Sequence, residues 1–291
     1  MKITLIAAAL AACAPLAFAQ SAAPNDGPPA VITIGHESIK EGKGAAHRKV
    51  EQDWANAFRK NKFPFHYLAL SSESGPGEVV FLSAYPSFAA IEEAGKLEDK
   101  APLKNDLELL EARDGELRTE SRNMTAVYRK DLSYLPANAL PVPKFRYVMI
   151  DNYRVRLGQN ESFLAGAKVL LAGYQKSNFP VSIICYQVIA GAPNGVYLFL
   201  LPMDSLKQMD DLMANNKALA DAVGADNLQK ITKGEGEVFQ VMESTLYSVS
   251  PEMSYLSKEE EDVDPGFWRP KVTAVHPPAK GTVAKEATPK Q

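Results

Sequence analysis

Runs of consecutive apolar residues, each bounded by turn residues, recur along the chain. One such run lies within the stretch Gly77–Phe88 and another within Gly195–Leu206. A short apolar run without alternation is typical of a strand that is covered on both faces. In each stretch a serine follows the run, where its hydroxyl can cap a helix, and apolar residues then recur at helical spacing. Each stretch therefore predicts a buried strand followed by a helix.

The same order of predicted elements occurs twice: strand, helix, strand, strand, helix, strand. The two stretches align without gaps and share the identities Gly77/Gly195, Phe81/Phe199, Leu82/Leu200 and Ser87/Ser205. The pattern predicts an α+β protein with two ferredoxin-like βαββαβ units fused in one chain and their antiparallel sheets packed face to face. The expected boundaries are 31–136 for unit 1, 137–144 for a proline-containing linker and 145–256 for unit 2.

The first predicted helix, at about residues 45–60, has a clear apolar face. That face consists of Val50, Trp54, Ala57 and Phe58. Glu51 is a polar residue that does not belong to this set of four, and polar residues of an amphipathic helix usually face solvent. We therefore expect Glu51 to lie outside the buried face of the helix.

The N-terminus has the pattern of a secretory signal peptide in residues 1–19. A lysine precedes a long apolar run that ends in Ala17-Phe18-Ala19, as such signals require. We expect cleavage after Ala19 and a periplasmic or extracellular protein, with a lipoprotein anchored at Cys13 as the alternative. Residues 20–30 are a polar, proline-rich leader that we expect to be disordered. No later apolar run is long enough to span a bilayer.

The C-terminal residues 257–291 are mostly polar and too poor in apolar residues to form a core. Phe267 and Trp268 are the exception, because two adjacent large aromatic residues are rarely left in water. We expect this short segment to dock on the folded body, with the rest of the tail disordered. A partner-binding site at the same segment is the alternative.

This order of elements, with its buried strands and its duplication, resembles the dimeric α/β-barrel superfamily, which includes antibiotic-biosynthesis-monooxygenase-like and NIPSNAP-like proteins. The resemblance covers about residues 31–135 and 145–256. In that superfamily two units stack sheet on sheet, usually from two chains; here both would come from one chain. Chlorite-dismutase-like relatives bind haem through a histidine of the second unit. Residues 137–256 contain no histidine, so the resemblance implies no haem here.

Charge and motifs exclude several kinds of function. The net charge of −3 provides no basic surface for nucleic acid. The four histidines, His36, His47, His66 and His276, are not at metal-ligand spacing, and we expect neither a metal nor another cofactor. The chain also has no P-loop, no dinucleotide-binding glycine motif and no nucleophile elbow.

Polar residues at the ends of the central strands are the candidate ligand-binding groups. His36 shares strand parity with Ile32 and Ile34, and its counterpart Asn152 shares parity with Val148 and Ile150. Either residue could instead satisfy a loop carbonyl, since buried polar groups are normally hydrogen-bonded structurally. The further candidates are Glu37, Tyr67, Tyr153, Arg154, Tyr186 and Gln187.

We expect from the sequence a secreted, non-catalytic protein that binds a small organic molecule, or interacts with a partner, through the cleft between the two units. It would be a monomer or a homodimer. Two alternatives remain open. One is a cofactor-independent monooxygenase-like enzyme acting on a small aromatic or polyketide-like compound, which only the resemblance implies. The other is a structural protein of the cell envelope.

Overall fold

A computed structural model describes residues 27–269 of the chain. The predicted signal peptide, most of the leader and the last 22 residues, 270–291, lie outside the described residues. Within 27–269 no helix is long and apolar enough to cross a membrane.

Eight antiparallel strands and eight helices make up the described part. The strands are β1 Val31–Ile39, β2 Tyr67–Ser72, β3 Glu78–Tyr85, β4 Arg118–Tyr128, β5 Tyr147–Val155, β6 Ile184–Ala190, β7 Val196–Met203 and β8 Phe239–Val249. The helices are α1 Gly44–Asn61, α2 Phe88–Glu98, α3 Leu103–Gly115, α4 Asn160–Ser177, α5 Lys207–Val223, α6 Ala225–Val238, α7 Lys258–Glu261 and α8 Pro265–Trp268. The order from β1 to β4 recurs from β5 to β8.

The strands form one closed barrel in the order β1-β3-β2-β8-β5-β7-β6-β4. The sequence predicts two separate sheets facing each other, and the structure differs in that β2 pairs with β8 and β4 with β6. These pairings give the strands at the edge of each half a partner in the other half. Because an unpaired edge strand leaves N–H and C=O groups without partners, closure satisfies both halves at once.

Alternation along the strands divides the core into an inner and an outer layer. Ile32, Ile34, Val148 and Ile150 point into the barrel, where they belong to one large apolar cluster. The opposite strand faces carry the helices, which pack around the outside in separate clusters. This is why the strands are apolar on both faces. It also means that the cleft expected between the sheets is largely filled by side chains.

The segment that follows β8 packs against the barrel. Trp268 is buried in the inner cluster, and the guanidinium of Arg146 lies 3.7 Å from the centre of the Phe267 ring. Arg146 also forms an ion pair with Asp264, at the start of α8. The two aromatic residues therefore lie on the body of the protein.

Helix α1 buries more of its surface than its apolar pattern indicates. His47 and Glu51 are buried together with Val50 and Phe58. The expectation that Glu51 lies outside the buried face is therefore wrong. Position 51 is one helical turn after position 47, so both polar side chains face the same way, toward the sheet.

Candidate functional site

A cavity of about 290 Å³ lies between the outer face of the barrel and helices α1–α3 of the first half. Strands β1 to β4 form its floor, and the segment that joins α1 to β2 contributes to its rim. Its wall is mainly aromatic. The aromatic lining residues are Trp54, Phe58, Phe63, Phe65, Tyr67, Phe81 and Tyr85.

One end of the cavity is charged and buried. Glu37 comes from β1, Glu51 from α1, Asp114 from α3 and Arg118 from the first position of β4. His47 lies behind them on α1. We call these five residues the His47 cluster. Its histidine and three carboxylates each offer one ligand atom, and these four atoms lie within 4.8 Å of one another.

The imidazole of His47 is directed at two carboxylates at once. Its Nε2 lies 2.8 Å from Glu37 Oε2 and 3.4 Å from Asp114 Oδ1. A single N–H can be well aligned with only one of these oxygens. Asp114 Oδ1 is consequently buried without a hydrogen-bond partner, although His47 and Asp114 are each only 1% exposed. Such an unsatisfied oxygen costs on the order of 1–3 kcal/mol.

Arg118 holds the other oxygens of the same two carboxylates. Its Nη1 lies 2.8 Å from Asp114 Oδ2 and also binds Glu37 Oε1. Its Nη2 binds the more exposed Glu111. The guanidinium therefore fixes the orientation of Glu37 and Asp114, and leaves Oε2 and Oδ1 turned toward His47.

The pKa values of Glu51 and Glu37 in the His47 cluster are shifted in opposite directions. Burial, together with the negative charges of Glu37 and Asp114, raises the pKa of Glu51 well above its ordinary value. Burial also acts to raise the pKa of Glu37. The hydrogen bond from His47 and the charge of Arg118 outweigh that effect, so the pKa of Glu37 is lowered.

The second half shows what the same fold does without these charges. Helices α1 and α4 both have 18 residues, and Phe163 and Ala167 take the places of His47 and Glu51. The strand bulge that pairs Ile39 with Arg118 recurs as the pairing of Val155 with Phe239.

Tyr153 takes the place of Glu37 in this comparison, since its strand partner Tyr197 corresponds to Val79. Its ring lies 5.3 Å from that of Phe239, and the rings of Phe163 and Tyr197 are 4.5 Å apart. The second half thus fills this location with packed rings. The fold does not require the charged cluster.

The structure brings two of the sequence-predicted site residues together at the cavity. Glu37 belongs to the His47 cluster, and Tyr67 lines the aromatic wall, where its ring packs against Phe58 and Phe81. Burial, the main cause, raises the pKa of Tyr67, which keeps its hydroxyl protonated.

The other predicted residues lie elsewhere. His36 points into the barrel, with its Nδ1 3.5 Å from Glu78 Oε2. Asn152 has the same parity in β5, and its Nδ2 donates to Glu243 at 3.3 Å. Their strands β1 and β5 are not neighbours in the barrel. A ligand site at His36 and Asn152 stays a prediction.

Three of the remaining four candidates have structural partners. Tyr186 belongs to the inner cluster and donates its hydroxyl to the Pro29 carbonyl at 3.0 Å. Gln187 accepts a 2.6 Å hydrogen bond from Arg129. Tyr153 packs in the aromatic group of the second half. Arg154 Nε is buried without a hydrogen-bond partner.

Sequence reasoning missed His47, Glu51, Asp114 and Arg118. The one local signal is the spacing of His47 and Glu51, four residues apart on a helix, which places both side chains on one face. Asp114 and Arg118 lie on other elements and far along the chain. Only the folded topology brings them to the same end of the cavity.

No family model matches the chain, and no curated protein matches it in sequence. Solved structures do match its fold. A candidate monooxygenase from Fusobacterium nucleatum subsp. nucleatum is 9% identical with a TM-score of 0.50, over 76% of this chain and 93% of that one. A mutant chlorite dismutase from Candidatus Nitrospira defluvii is 9% identical with a TM-score of 0.50, over 78% of this chain and 94% of that one. An anthrone oxidase-like protein is 13% identical with a TM-score of 0.46, over 76% and 91%.

These similarities place the chain among folds of the dimeric α/β-barrel type. They do not test the NIPSNAP-like resemblance, which stays a prediction. The neighbours carry the names of enzymes, so the expectation of a non-catalytic binding protein is contradicted. The cavity lies on the outer face of the barrel, and binding in the cleft between the sheets stays a prediction.

Haem of the histidine-ligated kind does not fit the second half. Residues 137–256 contain no histidine. The rings of Phe163, Tyr197 and Phe239 pack against one another on the outer face of that half.

Proposed function

We propose that the protein is an enzyme that oxidises a small aromatic compound with molecular oxygen in the cavity under helices α1–α3. The observation that carries the proposal is the cavity itself, in which an aromatic wall leads to the buried His47 cluster. The fold neighbour named as a candidate monooxygenase supports this reaction class. A pocket of this kind is the expected location of a small-molecule site.

The size and lining of the cavity define the substrate class. Its volume of about 290 Å³ lies just below the range of roughly 300–1,000 Å³ for ligand pockets. A compound of one or two fused rings is therefore a better fit than a larger polycycle. Trp54, Phe58 and Tyr67 would hold the ring by stacked and edge-to-face contacts.

The His47 cluster would orient the polar end of the substrate. Carboxylate oxygens of Glu37 or Glu51 can accept a hydrogen bond from a phenolic hydroxyl, and Arg118 supplies a positive charge nearby. An electron-rich ring anchored in this way is the kind of substrate that O₂ can oxidise. Conversion of a ring methylene to a carbonyl balances as CH₂ + O₂ → C=O + H₂O, so that the substrate supplies all four electrons.

Oxygen consumption with a panel of phenols, hydroquinones and benzylic ketones tests the proposal. We expect uptake of O₂ with at least one compound, and one atom of ¹⁸O in the product when ¹⁸O₂ is supplied. Ser83→Trp, which fills the cavity from β3, should abolish turnover, whereas Ser83→Ala should retain it. Turnover that survives Ser83→Trp in a folded protein would place the reaction elsewhere.

We also infer that the two halves are ferredoxin-like units fused by tandem duplication. The recurring element order, the matching left-handed residues Lys62 and Asn178 after α1 and α4, and the matching bulges support this inference. A circular permutant that begins at residue 145 and joins the two ends through a flexible linker should fold and keep the spectroscopic properties of the parent chain.

We further propose that the protein is exported and begins at Gln20 after removal of the signal peptide. The pattern at Ala17–Ala19 supports cleavage there. Mass spectrometry of the protein from the periplasmic fraction should give this N-terminus. A lipid-modified Cys13 would show the alternative anchor instead.

A further inference from the structure

We propose that the His47 cluster is a binding site for one divalent first-row transition-metal ion, held by His47 Nε2, Glu37 Oε2 and Asp114 Oδ1 and completed from the cavity side by Glu51. A mixed set of one imidazole nitrogen and carboxylate oxygens suits ions such as Mn²⁺, Fe²⁺ and Zn²⁺. Nothing in the spacing of the histidines along the chain indicates this site.

The distances from His47 Nε2 to the two carboxylate oxygens beside it are close to those between ligands of a single ion. Ligands bonded to one such ion at about 2.0–2.2 Å are about 3–3.5 Å from one another. His47 Nε2 lies 2.8 Å from Glu37 Oε2 and 3.4 Å from Asp114 Oδ1. A proton on His47 Nε2 can bond well to only one of these oxygens. A metal ion in its place would bind the nitrogen and both oxygens.

An unpartnered oxygen points into the site. Asp114 Oδ1 is buried without a hydrogen bond, on a residue that is 1% exposed. Buried carboxylate oxygens normally have hydrogen-bond partners. An oxygen without one, next to an imidazole nitrogen, indicates a site for a ligand that accepts electron pairs. A cation is such a ligand.

Arg118 supplies the supporting shell that a metal site needs. It binds Oε1 of Glu37 and Oδ2 of Asp114, which are the oxygens that would not ligate the ion. Outer partners of this kind orient ligating carboxylates and commonly change metal affinity by about 10- to 100-fold. The same arginine with a divalent ion gives three positive charges against the three carboxylates Glu37, Glu51 and Asp114.

The second half of the chain indicates that the fold does not require the His47 cluster. Tyr153, Phe163, Ala167 and Phe239 fill the corresponding positions there, and the rings pack directly against one another. An apolar filling is thus available to this fold. Burying charged groups costs free energy unless they are paired or bind a metal. The charged residues at these positions in the first half therefore indicate that a ligand binds there.

Metal titration of the chain from Gln20 to Gln291, purified without a polyhistidine tag and treated with EDTA, tests the site. Mn²⁺ and Zn²⁺ are the probes, followed by calorimetry, by the loss of the free Mn²⁺ EPR signal and by thermal unfolding. We expect one ion per chain and a higher unfolding temperature. Arg118→Lys should weaken binding by about 10- to 100-fold, and His47→Gln by at least as much.

Two variants serve as matched controls. His66→Gln removes a histidine that also lines the cavity, and Glu111→Gln removes a carboxylate that Arg118 also binds; neither should change the affinity by more than about twofold. Should His47→Gln fail to fold, Glu51→Gln is the second variant, and we expect it to weaken binding by about tenfold. Absence of binding to the parent chain, or equal binding to all variants, would overturn the site. No aromatic compound is present, so this result is independent of the substrate proposal.

Discussion

The indole Nε1 of Trp268 donates a 2.8 Å hydrogen bond to the carbonyl oxygen of Pro143. This bond joins the end of the described chain to the connection between the two halves. Phe267 and Arg146 stack beside it. The C-terminal segment thereby packs against the inner apolar cluster and joins elements that lie more than a hundred residues apart in the sequence.

Trp268→Ala should destabilise the protein by about 3–5 kcal/mol, because it removes a buried ring and leaves a cavity. Chemical denaturation, with the midpoint and slope compared with those of the parent chain, measures the loss. Val263→Ala is the control in the same segment; its side chain is 49% exposed, and we expect a change of less than about 0.5 kcal/mol. Equal stability of the two variants would show that the segment is not part of the cooperative unit.

A fragment of residues 31–135 should self-associate or aggregate when expressed alone. It lacks β8 and β6, the partners of β2 and β4, and it exposes the inner apolar face that includes Ile34, Leu70 and Val80. Exposed strand edges and apolar surfaces of this kind promote association. Sedimentation analysis provides the measurement, and a stable monomeric fragment would contradict the cooperative barrel.

Glu78→Gln should make the stability of the protein less dependent on pH in the acid range. The interaction with His36, whose Nδ1 lies 3.5 Å from Glu78 Oε2, is the main cause that lowers the pKa of Glu78, and a hydrogen bond from Tyr247, in the second half, lowers it further. A carboxyl with a lowered pKa in the folded state stabilises the protein above its unfolded-state pKa, and the effect is lost as pH falls through the folded-state pKa.

At pH 7 we therefore expect Glu78→Gln to cost on the order of 1 kcal/mol, and the difference from the parent chain should disappear as pH falls below the lowered folded-state pKa of Glu78. Thermal unfolding across this range measures the difference. Glu120→Gln, an exposed position on β4, should show no such pH-dependent difference. A constant difference at every pH would assign the effect to packing rather than to charge.

Gly173→Ala should destabilise the protein by about 1–3 kcal/mol. A Cβ at this position of α4 would lie 2.4 Å from Val223 Cγ2 of α5, so the two helices would have to separate. Gly166→Ala on the same helix is the matched control, since its Cβ would lie 3.9 Å from Ile231. Alanine there should stabilise the helix by up to about 1 kcal/mol, and urea denaturation of both variants distinguishes the two effects.

The sequence predicts the α+β class and most strands, because buried strands such as Val79–Leu82 are apolar without interruption. Closure of the barrel was not predictable in the same way. It depends on which strand edges meet, and β2 with β8 or β4 with β6 are contacts between residues far apart in the chain.

The candidate site was harder to predict for a related physical reason. Glu51 is polar and sits beside an apolar stripe, so periodicity alone places it toward solvent. It is nevertheless buried, at the end of the cavity to which Asp114 of α3 and Arg118 of β4 also contribute. Periodicity within one helix predicts which face is apolar. It does not show which residues from other elements will pack against a polar residue of that helix.

Because one chain forms the whole barrel, the sequences of its two halves can evolve independently. In a barrel made of two identical chains, each substitution occurs in both copies, and any cost to packing is incurred twice. In this chain a substitution occurs once. The first half can keep buried charges at Glu37 and Glu51 while the second keeps Tyr153 and Ala167 at the corresponding places. One half is then free to vary its chemistry while the other maintains the fold.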